Sequence, residues 1–203
     1  MKIICVGRNY VAHAKELNNE VPENPVLFMK PNTALLKGNA PFYHPDWSKD
    51  IHYETELVLK ISKQGKYIAE KFAHKYYEEI TVGIDFTARD LQNYQKQKGL
   101  PWEIAKAFDG SAPVGEFVKI AQLKNPDNIH FSMKKNNIEV QNGNTENMIY
   151  NFDKLIAYMS QFFTLQVGDL IFTGTPAGVG PVAIGDTITC FLEDTAVLNF
   201  EVK

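Results

Sequence analysis

Apolar residues along this 203-residue chain alternate with polar ones in short runs more often than they recur at helical spacing. Short runs bounded by glycine, proline or asparagine are typical of strands. The segments with this pattern are residues 2–6, 26–30, 54–59, 80–86, 130–136 and 138–143, followed by a closing series of strands within 169–202. Helical patterns are fewer and cover residues 10–17, 87–98 and 152–162. The chain is therefore predicted to adopt a β-rich α+β fold.

The ends of two predicted helices carry typical boundary residues. Asn9 precedes the helix at 10–17 and is predicted to cap it, because an asparagine side chain accepts a hydrogen bond from a free N–H of the first turn. Gly99 follows the helix at 87–98 and is typical of a helix end. No repeat, low-complexity segment or break in composition separates these elements. Residues 1–203 are predicted to form a single domain.

Composition and charge narrow the class of protein. Hydrophobic residues make up 44% of the chain and aromatic residues 12%, which is enough to fill a core without disulfides. The 21 basic and 24 acidic residues nearly cancel, and no basic block is present to follow a phosphate backbone. Nucleic acid is therefore not an expected partner. No apolar run reaches the length of a membrane span, so no membrane anchor is expected.

The two cysteines bear on the cellular compartment. Cys5 and Cys190 each lie inside an apolar run, which predicts buried, reduced thiols. The N-terminal apolar run is too short for the core of a signal peptide. A cytoplasmic protein is therefore expected.

Three carboxylates form a candidate metal site. Glu54 and Glu56 are two residues apart in a predicted strand, so their side chains lie on the same face. Asp85 lies at the end of another predicted strand. Carboxylate oxygens are the ligands that Mg²⁺ and Mn²⁺ prefer. Alternatively, Glu54 and Glu56 lie on a solvent-facing strand edge. The spacing of these two glutamates, taken alone, favours this alternative.

Two charged residues lie in apolar surroundings. A buried Asp85, between Ile84 and Phe86, requires a cation or strong hydrogen-bond donors. Alternatively, Asp85 caps the helix that follows it. Lys106 lies in an apolar run that would partly desolvate its ammonium group, and the alternative is a surface lysine with only its stem buried. The residues alone do not decide between the two alternatives for Asp85 or between the two for Lys106.

Two further segments suit catalysis or anion binding. His13 and Glu16 lie three residues apart on the predicted helix at 10–17, where they form either a general-base pair or an ordinary exposed pair. Residues 173–180 (TGTPAGVG) follow a predicted buried strand, and their small side chains are typical of a loop whose backbone N–H groups approach an anion. The segment lacks the lysine of a P-loop.

Six motifs occur along the chain in the order GRNYVAHAKE, LFMKP, HYETEL, GIDFTARDLQ, LPWEIAKAFD and GDLIFTGTPAGVG. In this order they resemble the fumarylacetoacetate hydrolase family. The resemblance is to its short, single-domain branch, which contains acylpyruvate hydrolases and oxaloacetate decarboxylases, and it runs from about Ile3 to the C-terminus. It implies the mixed β-roll of the family's C-terminal domain, usually assembled as a homodimer.

The resemblance also implies roles for individual residues. Glu54, Glu56 and Asp85 would bind Mg²⁺ or Mn²⁺. His13 and Glu16 would activate a water molecule. The residues implied to contact the substrate or to lie near it are Lys106, Gln92, Thr175, Arg8, Lys30 and Arg89. Among these, Lys106 would also stabilise the charge that develops during the reaction.

The activity implied by the resemblance is metal-dependent cleavage of small 2-oxo acids through a metal-bound enolate. This covers hydrolysis of acylpyruvates, which are 2,4-dioxo acids, and decarboxylation of oxaloacetate. One alternative is an isomerase or hydratase of unsaturated 2-hydroxy acids, which would only shuttle protons. A catalytically silent binding protein is the last alternative, and substitution of a ligand position or of Lys106 would be expected for it. Glu54, Glu56, Asp85 and Lys106 are all present in this chain.

Overall fold

A computed structural model of the protein describes residues 1–16 and 20–203, and these form a strand-rich α+β fold, as predicted. The strands are β1 Ile3–Gly7, β2 Val26–Lys30, β3 Leu35–Leu36, β4 Ile51–Tyr53, β5 Thr55–Ile61, β6 Tyr77–Ile84, β7 Thr87–Ala88, β8 Ala112–Pro113, β9 Val118–Lys119, β10 His130–Lys135, β11 Ile138–Asn144, β12 Leu170–Phe172, β13 Gly180–Pro181, β14 Thr187–Leu192 and β15 Thr195–Glu201. The α-helices are α1 Val11–Glu16, α2 Arg89–Lys98, α3 Glu103–Lys106 and α4 Phe152–Phe162. Short 3₁₀ helices cover Asn32–Ala34, Glu70–Tyr76, Ile120–Gln122 and Thr145–Asn147.

Strand β5 lies near the middle of a six-stranded sheet with the order β2-β1-β12-β5-β6-β9. Strands β1 and β12 are parallel, and the other neighbours are antiparallel. Every residue of β5 except Lys60 is buried, so both faces of the strand are covered. This explains why the strand is an almost continuous apolar run after Glu56.

The two faces of this sheet contact different apolar clusters. Ile4 belongs to the larger cluster together with Leu57. Its neighbour Ile3 points to the opposite face and belongs to a smaller cluster with Val58 and Phe172. Successive residues of a strand alternate between faces, so this six-stranded sheet is a buried layer.

A second sheet covers the larger cluster. Its order is β11-β10-β14-β15, and all of its pairs are antiparallel. Phe131 from β10, Ile188 from β14 and Phe200 from β15 are buried in the same cluster as Leu57. Two layers of sheet therefore enclose the main core.

A small third sheet determines where the candidate metal ligands lie. Its order is β13-β4-β7, and His52 of β4 pairs with Thr87 of β7. Strand β4 leads directly into Glu54, and β7 begins two residues after Asp85. The backbone N–H of Asp85 donates to the carbonyl oxygen of Glu54 at 2.8 Å, which joins the two segments at the site.

The helix predicted at 87–98 begins later than expected. Thr87 and Ala88 form β7, and α2 starts at Arg89, because pairing with β4 holds Thr87 in an extended conformation. The predicted end is confirmed, since Gly99 adopts a left-handed conformation with φ of 65° directly after Lys98. Helix α4 has the predicted bounds, and its N-cap Asn151 accepts a hydrogen bond from the N–H of Lys154.

The predicted capping role of Asn9 is wrong. Helix α1 begins at Val11, and Leu17, the predicted last residue, lies outside the described residues. The Asn9 side chain instead donates to the carbonyl oxygens of Tyr150 and Thr173, at 3.0 and 2.8 Å, and accepts from the N–H of Tyr150 at 2.8 Å. Asn9 therefore joins three distant segments of the chain beside the candidate site.

Cys5 and Cys190 are buried and not joined in a disulfide, as predicted. In the described part of the chain, no helix combines the length and apolar character that are needed to cross a membrane.

Candidate active site

Three buried carboxylates converge at the end of the main sheet. Glu54, Glu56 and Asp85 are 6%, 1% and 1% exposed, and each offers an oxygen atom within 4.8 Å of the other two. Glu54 precedes β5, Glu56 lies in β5 opposite Gly83, and Asp85 follows β6. The solvent-facing alternative for the two glutamates is therefore wrong.

Lys106 connects two of these carboxylates. Its Nζ lies 2.8 Å from Oε2 of Glu54 and 2.7 Å from Oδ2 of Asp85, and it also donates to the hydroxyl of Thr87 at 2.6 Å. The residue is 2% exposed, so it is not a surface lysine. Burial alone would lower the pKa of Lys106, but the charges of Asp85 and Glu54 outweigh it and raise the pKa. Lys106 is therefore a charged ammonium group inside the site.

Two further cations surround the same carboxylates. Arg89 donates from Nη2 to Oε1 of Glu54 at 2.6 Å. The Nζ of Lys30 lies 2.8 Å from Oδ1 of Asp85, and it also donates to the hydroxyl of Ser111 at 3.0 Å and to the backbone carbonyl of Lys106. Asp85 is thus held by two lysines, and it does not cap α2, whose first turn has no side-chain cap.

Glu56 differs from the other two carboxylates, because it is in no ion pair among the described residues. Its Oε2 accepts a hydrogen bond from the backbone N–H of Gly174 at 2.8 Å. Burial, followed by the charges of Asp85 and Glu54, raises the pKa of Glu56 well above its usual value. Burial also acts to raise the pKa of Glu54, but the positive charges of Lys106 and Arg89 outweigh it and lower the pKa.

The donor set fits a hard divalent cation. Oxygen atoms of the three carboxylates lie within 4.8 Å of one another, and in the described part of the chain the basic side chains around them pair with Glu54 and Asp85 but not with Glu56. A positive ion between the three oxygens would relieve the repulsion that raises the pKa of Glu56. Oxygen-only donors favour Mg²⁺ or Mn²⁺ over the softer metals that prefer thiolate or imidazole.

The glycine-containing loop 173–180 holds two carboxylates of the protein itself. Gly174 donates to Glu56, and the N–H of Gly178 donates to Oε1 of Glu16 at 3.0 Å. Gly174 has a φ of 102°, and a Cβ atom there would lie 2.6 Å from Cβ of Asn9. The loop therefore requires glycine at this position, and its N–H groups are directed at anions, as its composition indicates.

His13 and Glu16 are in contact on α1. Nδ1 of His13 lies 3.2 Å from Oε2 of Glu16, while the other carboxylate oxygen of Glu16 accepts from Gly178. His13 is buried and lines the pocket above the carboxylates, whereas Glu16 is exposed and lies behind it. The pair can move a proton between the pocket and solvent.

Most of the predicted site residues line one narrow pocket. Its lining consists of Val6, Gly7, Arg8, His13, Phe28, Glu54, Glu56, Arg89, Gln92, Lys96, Trp102, Lys106 and Thr175. Gln92 accepts a hydrogen bond from Nη1 of Arg89 at 2.6 Å, which orients both side chains. Lys30 and Asp85 lie behind this lining, and the ammonium of Lys30 is engaged by Asp85.

Gln141 was missed by the sequence analysis. It is buried, its Oε1 accepts from the N–H of Thr55 at 2.9 Å, and its Nε2 donates to the hydroxyl of Thr175 at 2.9 Å and to the carbonyl of Pro176 at 3.0 Å. Gln141 thus links the residue between the two glutamates to the loop that carries Thr175. Lys96 and the aromatic residues of the pocket were also missed, and nothing in the sequence around them distinguishes them from other helix or loop residues.

Comparisons with known proteins identify the family to which this chain belongs. The family model for the fumarylacetoacetate (FAA) hydrolase C-terminal domain matches residues 2–203. The mitochondrial oxaloacetate tautomerase fahd-1 of Caenorhabditis elegans is 41% identical over 202 residues, covering 100% of this chain and 94% of the relative. The mitochondrial oxaloacetate decarboxylase of Dictyostelium discoideum is 44% identical over 190 residues, covering 93% and 87%.

A solved structure shows the same similarity. Fumarylpyruvate hydrolase from Pseudomonas aeruginosa, in complex with Mn²⁺ and pyruvate, superposes with a TM-score of 0.94 at 36% identity, covering 100% of this chain and 89% of that one. The match to the family model and the relatives above 40% identity each span nearly the whole chain. The protein is therefore a member of the fumarylacetoacetate hydrolase family.

Proposed function

We propose that this protein is a divalent-metal-dependent enzyme that cleaves small 2-oxo acids, by hydrolysis of acylpyruvates, by decarboxylation of oxaloacetate, or by both. The observation that carries the proposal is the group of three buried carboxylates, with oxygens within 4.8 Å of one another, beneath a pocket lined by basic residues. The decarboxylase relative and the fumarylpyruvate hydrolase structure support the two reactions. Residues 1–203 would act as one catalytic domain.

Glu54, Glu56 and Asp85 would hold Mg²⁺ or Mn²⁺. When bound, the cation supplies a Lewis acid that polarises the oxygens of the 2-oxo acid. The presence of Mn²⁺ in the similar hydrolase structure supports this class of metal. The protein's own contribution is to bury the three carboxylates and, within residues 1–16 and 20–203, to pair no basic side chain with Glu56.

His13 and Glu16 would activate water for hydrolysis. His13 faces the pocket and accepts the proton as water oxygen adds to the C4 carbonyl carbon of a 2,4-dioxo acid. The C3–C4 bond then breaks, its electron pair forms the enolate of pyruvate, and C3 finally takes up a proton. Glu16, 3.2 Å from Nδ1 of His13, stabilises the positive charge on the imidazole. Acetylpyruvate would thus give acetate and pyruvate.

Lys106, Arg89, Gln92 and Thr175 would hold the substrate. Lys106 places a full positive charge within 2.8 Å of two of the carboxylates, where negative charge develops on the 2-oxo oxygen. Gln92 and Thr175 add an amide group and a hydroxyl to the pocket lining for the C1 carboxylate. Arg8 contributes a further positive charge, and Lys30 would act indirectly by holding Asp85.

A second candidate function is tautomerisation of a 2-oxo acid, in which protons are shuttled and no carbon–carbon bond breaks. The tautomerase relative supports this candidate. The same basic residues would stabilise an enolate, and His13 would transfer the proton. The two candidates differ in whether a carbon–carbon bond of the substrate breaks.

Assembly and location are further proposals. The family resemblance supports a homodimer, which light scattering coupled to gel filtration would test, since a mass near 23 kDa in solution would contradict it. The two buried thiols are compatible with a reducing compartment and support a cytoplasmic location. Fractionation of source cells would test the location.

Rates on a panel of substrates test the proposed function. Purified protein with Mg²⁺ or Mn²⁺ is incubated with acetylpyruvate, fumarylpyruvate, oxaloacetate and an unsaturated hydroxymuconate. Release of pyruvate from one of the first three, lost in EDTA and in Glu56→Gln, is the expected result. Proton exchange or isomerisation without cleavage would favour the second candidate. No turnover of any substrate would favour a silent binding protein.

A further inference from the structure

Two hydrogen bonds beside the active site are made by opposite ends of one peptide group. Nδ2 of Asn9 donates to the carbonyl oxygen of Thr173 at 2.8 Å. The N–H of Gly174, on the same peptide, donates to Oε2 of Glu56 at 2.8 Å. Because a trans peptide is planar, its carbonyl and its N–H point in opposite directions. The Asn9 side chain, the peptide and the Glu56 carboxylate therefore form one chain of hydrogen bonds.

The backbone on either side of this peptide permits a second orientation. Thr173 is fixed to β5, since its N–H and its hydroxyl both donate to the carbonyl oxygen of Leu57, at 3.1 and 2.9 Å. Gly174 has a φ of 102°, and glycine adopts positive and negative φ with similar ease. Rotation of the peptide plane between Thr173 and Gly174 would exchange its N–H and its carbonyl. A carbonyl oxygen would then face Glu56 and repel its carboxylate.

Asn9 is held in place by contacts that do not involve this peptide. Its Oδ1 accepts from the N–H of Tyr150 at 2.8 Å, and its Nδ2 also donates to the carbonyl oxygen of Tyr150 at 3.0 Å. The backbone carbonyl of Asn9 accepts from the N–H of Ile149 at 2.9 Å. Asn9 is 0% exposed, so rotation of the peptide would leave one hydrogen of its amide buried without an acceptor. A buried donor without an acceptor is unfavourable, so Asn9 opposes that rotation.

We propose that Asn9 is a positioning residue for Glu56. By donating to the carbonyl of Thr173, it keeps the N–H of Gly174, and not a carbonyl oxygen, directed at Oε2 of Glu56, and this fixes the orientation of the carboxylate. The inference rests on the proposed function, because it takes Glu56 to be a metal ligand. Hydrogen bonds that hold the ligands of a metal orient them for binding.

Two substitutions remove the donor from Asn9. Asn9→Asp keeps the shape of the side chain and an acceptor for the N–H of Tyr150, but an ionised carboxylate has no hydrogen to donate to Thr173. Asn9→Leu is similar in size and has no polar hydrogen in either protonation state. The control is Ser160→Ala, which removes a buried acceptor of the Ile68 N–H outside the pocket lining.

Amide hydrogen exchange, measured by NMR on metal-free protein, tests the orientation of the peptide without turnover. In the two Asn9 variants the amide of Gly174 should exchange roughly tenfold faster than in wild type, as expected for the loss of one hydrogen bond. The amide of Gly178 lies in the same loop but donates to Glu16, so its exchange should change much less. Ser160→Ala should leave both amides at their wild-type rates.

Calorimetric titration with Mn²⁺ tests the consequence for Glu56. Loss of a hydrogen-bond partner behind a metal ligand typically weakens metal binding by about 10–100-fold. Because Asn9 acts on Glu56 through one peptide, we expect the lower end of this range, about a tenfold increase in Kd, for both Asn9 variants. Ser160→Ala should bind Mn²⁺ with the wild-type Kd.

The outcomes separate the role of Asn9 from the proposed function. An unchanged exchange rate at Gly174, or an unchanged Kd for Mn²⁺, in a folded Asn9 variant would overturn the inference. Failure of both variants to fold would also overturn it, because Asn9 would then serve the fold alone. If wild type binds no Mn²⁺, the proposed function fails, and faster exchange at Gly174 in the variants would still support the role of Asn9 in orienting the peptide.

Discussion

The backbone N–H of Gly174 lies 2.8 Å from Oε2 of Glu56 and donates a hydrogen bond to it. The other two carboxylates of the site are held by lysine and arginine side chains, whereas Glu56 receives this neutral donor from a loop that requires glycine. Glu56 is therefore the ligand whose charge depends most on a bound cation.

Glu56→Gln should change how the stability of the metal-free protein depends on pH. The pKa of Glu56 in the folded protein is raised above its unfolded value of about 4.3, so the folded state holds the proton more tightly. The stabilisation from Glu56 is present below the unfolded pKa and is lost as pH rises towards the folded pKa. The unfolding free energy of wild type should therefore fall relative to that of Glu56→Gln as pH rises.

Urea unfolding in EDTA at several pH values measures this difference. The amide oxygen that Glu56→Gln introduces can still accept the Gly174 hydrogen bond, so the loop is preserved and the charge alone is tested. A difference that does not change between pH 4 and pH 8 would show that Glu56 ionises as easily in the folded protein as in the unfolded chain.

Replacement of the buried Lys106 and Lys30 should lower the stability in both variants but lower kcat strongly in only one of them. Lys106→Met and Lys30→Met each remove one partner of a buried ion pair, which typically lowers stability by about 3–5 kcal/mol. Lys106 lines the pocket and Lys30 does not. With Mn²⁺ present and folding verified by circular dichroism, Lys106→Met should lower kcat by roughly 10²–10³-fold, and Lys30→Met by much less. Equal losses of kcat would remove the proposed role of Lys106 in stabilising charge.

Gln141→Leu should weaken the link between β5 and the loop that carries Thr175. The substitution leaves the N–H of Thr55 and the carbonyl of Pro176 without their buried partner, which lowers stability by about 1–3 kcal/mol. The exposed Gln97→Leu is the control and should change stability by less than about 0.5 kcal/mol. We also expect KM for the 2-oxo acid to rise more than the Kd for Mn²⁺. Equal effects on both constants would mean that Gln141 supports the fold alone.

Much of this fold and some of this site follow from local sequence patterns. Alternation in a strand placed Glu54 and Glu56 on one side, and the apolar neighbours of Asp85 indicated its burial. The end of α2 at Gly99 and the bounds of α4 could also be predicted from neighbouring residues, because capping and helical periodicity act within a few residues.

The errors involve partners that are far away in the sequence. Asn9 resembles a helix cap, yet its side chain bonds to Tyr150 and Thr173, more than 140 residues away. Thr87 fits the helical pattern of α2 but pairs with His52 in a sheet. Gln141 contacts residues 34 and 86 positions away. Such contacts arise from tertiary packing, which overrides local propensity and leaves no local signal.

Glu16→Gln should distinguish water activation from stabilisation of the enolate. Hydrolysis of an acylpyruvate requires a proton to leave water, whereas decarboxylation of oxaloacetate does not. The variant can still accept from Gly178, so the loop contact is kept while the charge near His13 is lost. Acylpyruvate hydrolysis should fall by about 10²–10⁴-fold and oxaloacetate decarboxylation by less. Equal losses in one preparation would contradict a role in activating water.

In the proposed function, Glu54, Glu56 and Asp85 bind one divalent cation on which the chemistry depends. Anomalous X-ray diffraction from crystals of the protein grown with Mn²⁺ tests it most directly, because the signal locates the metal without any assumption about activity. We expect one strong anomalous peak between the three carboxylates, about 2.0–2.2 Å from an oxygen of each. This peak should be absent in crystals of Glu56→Gln. A peak elsewhere, or none at this position in the wild type, would contradict the claim.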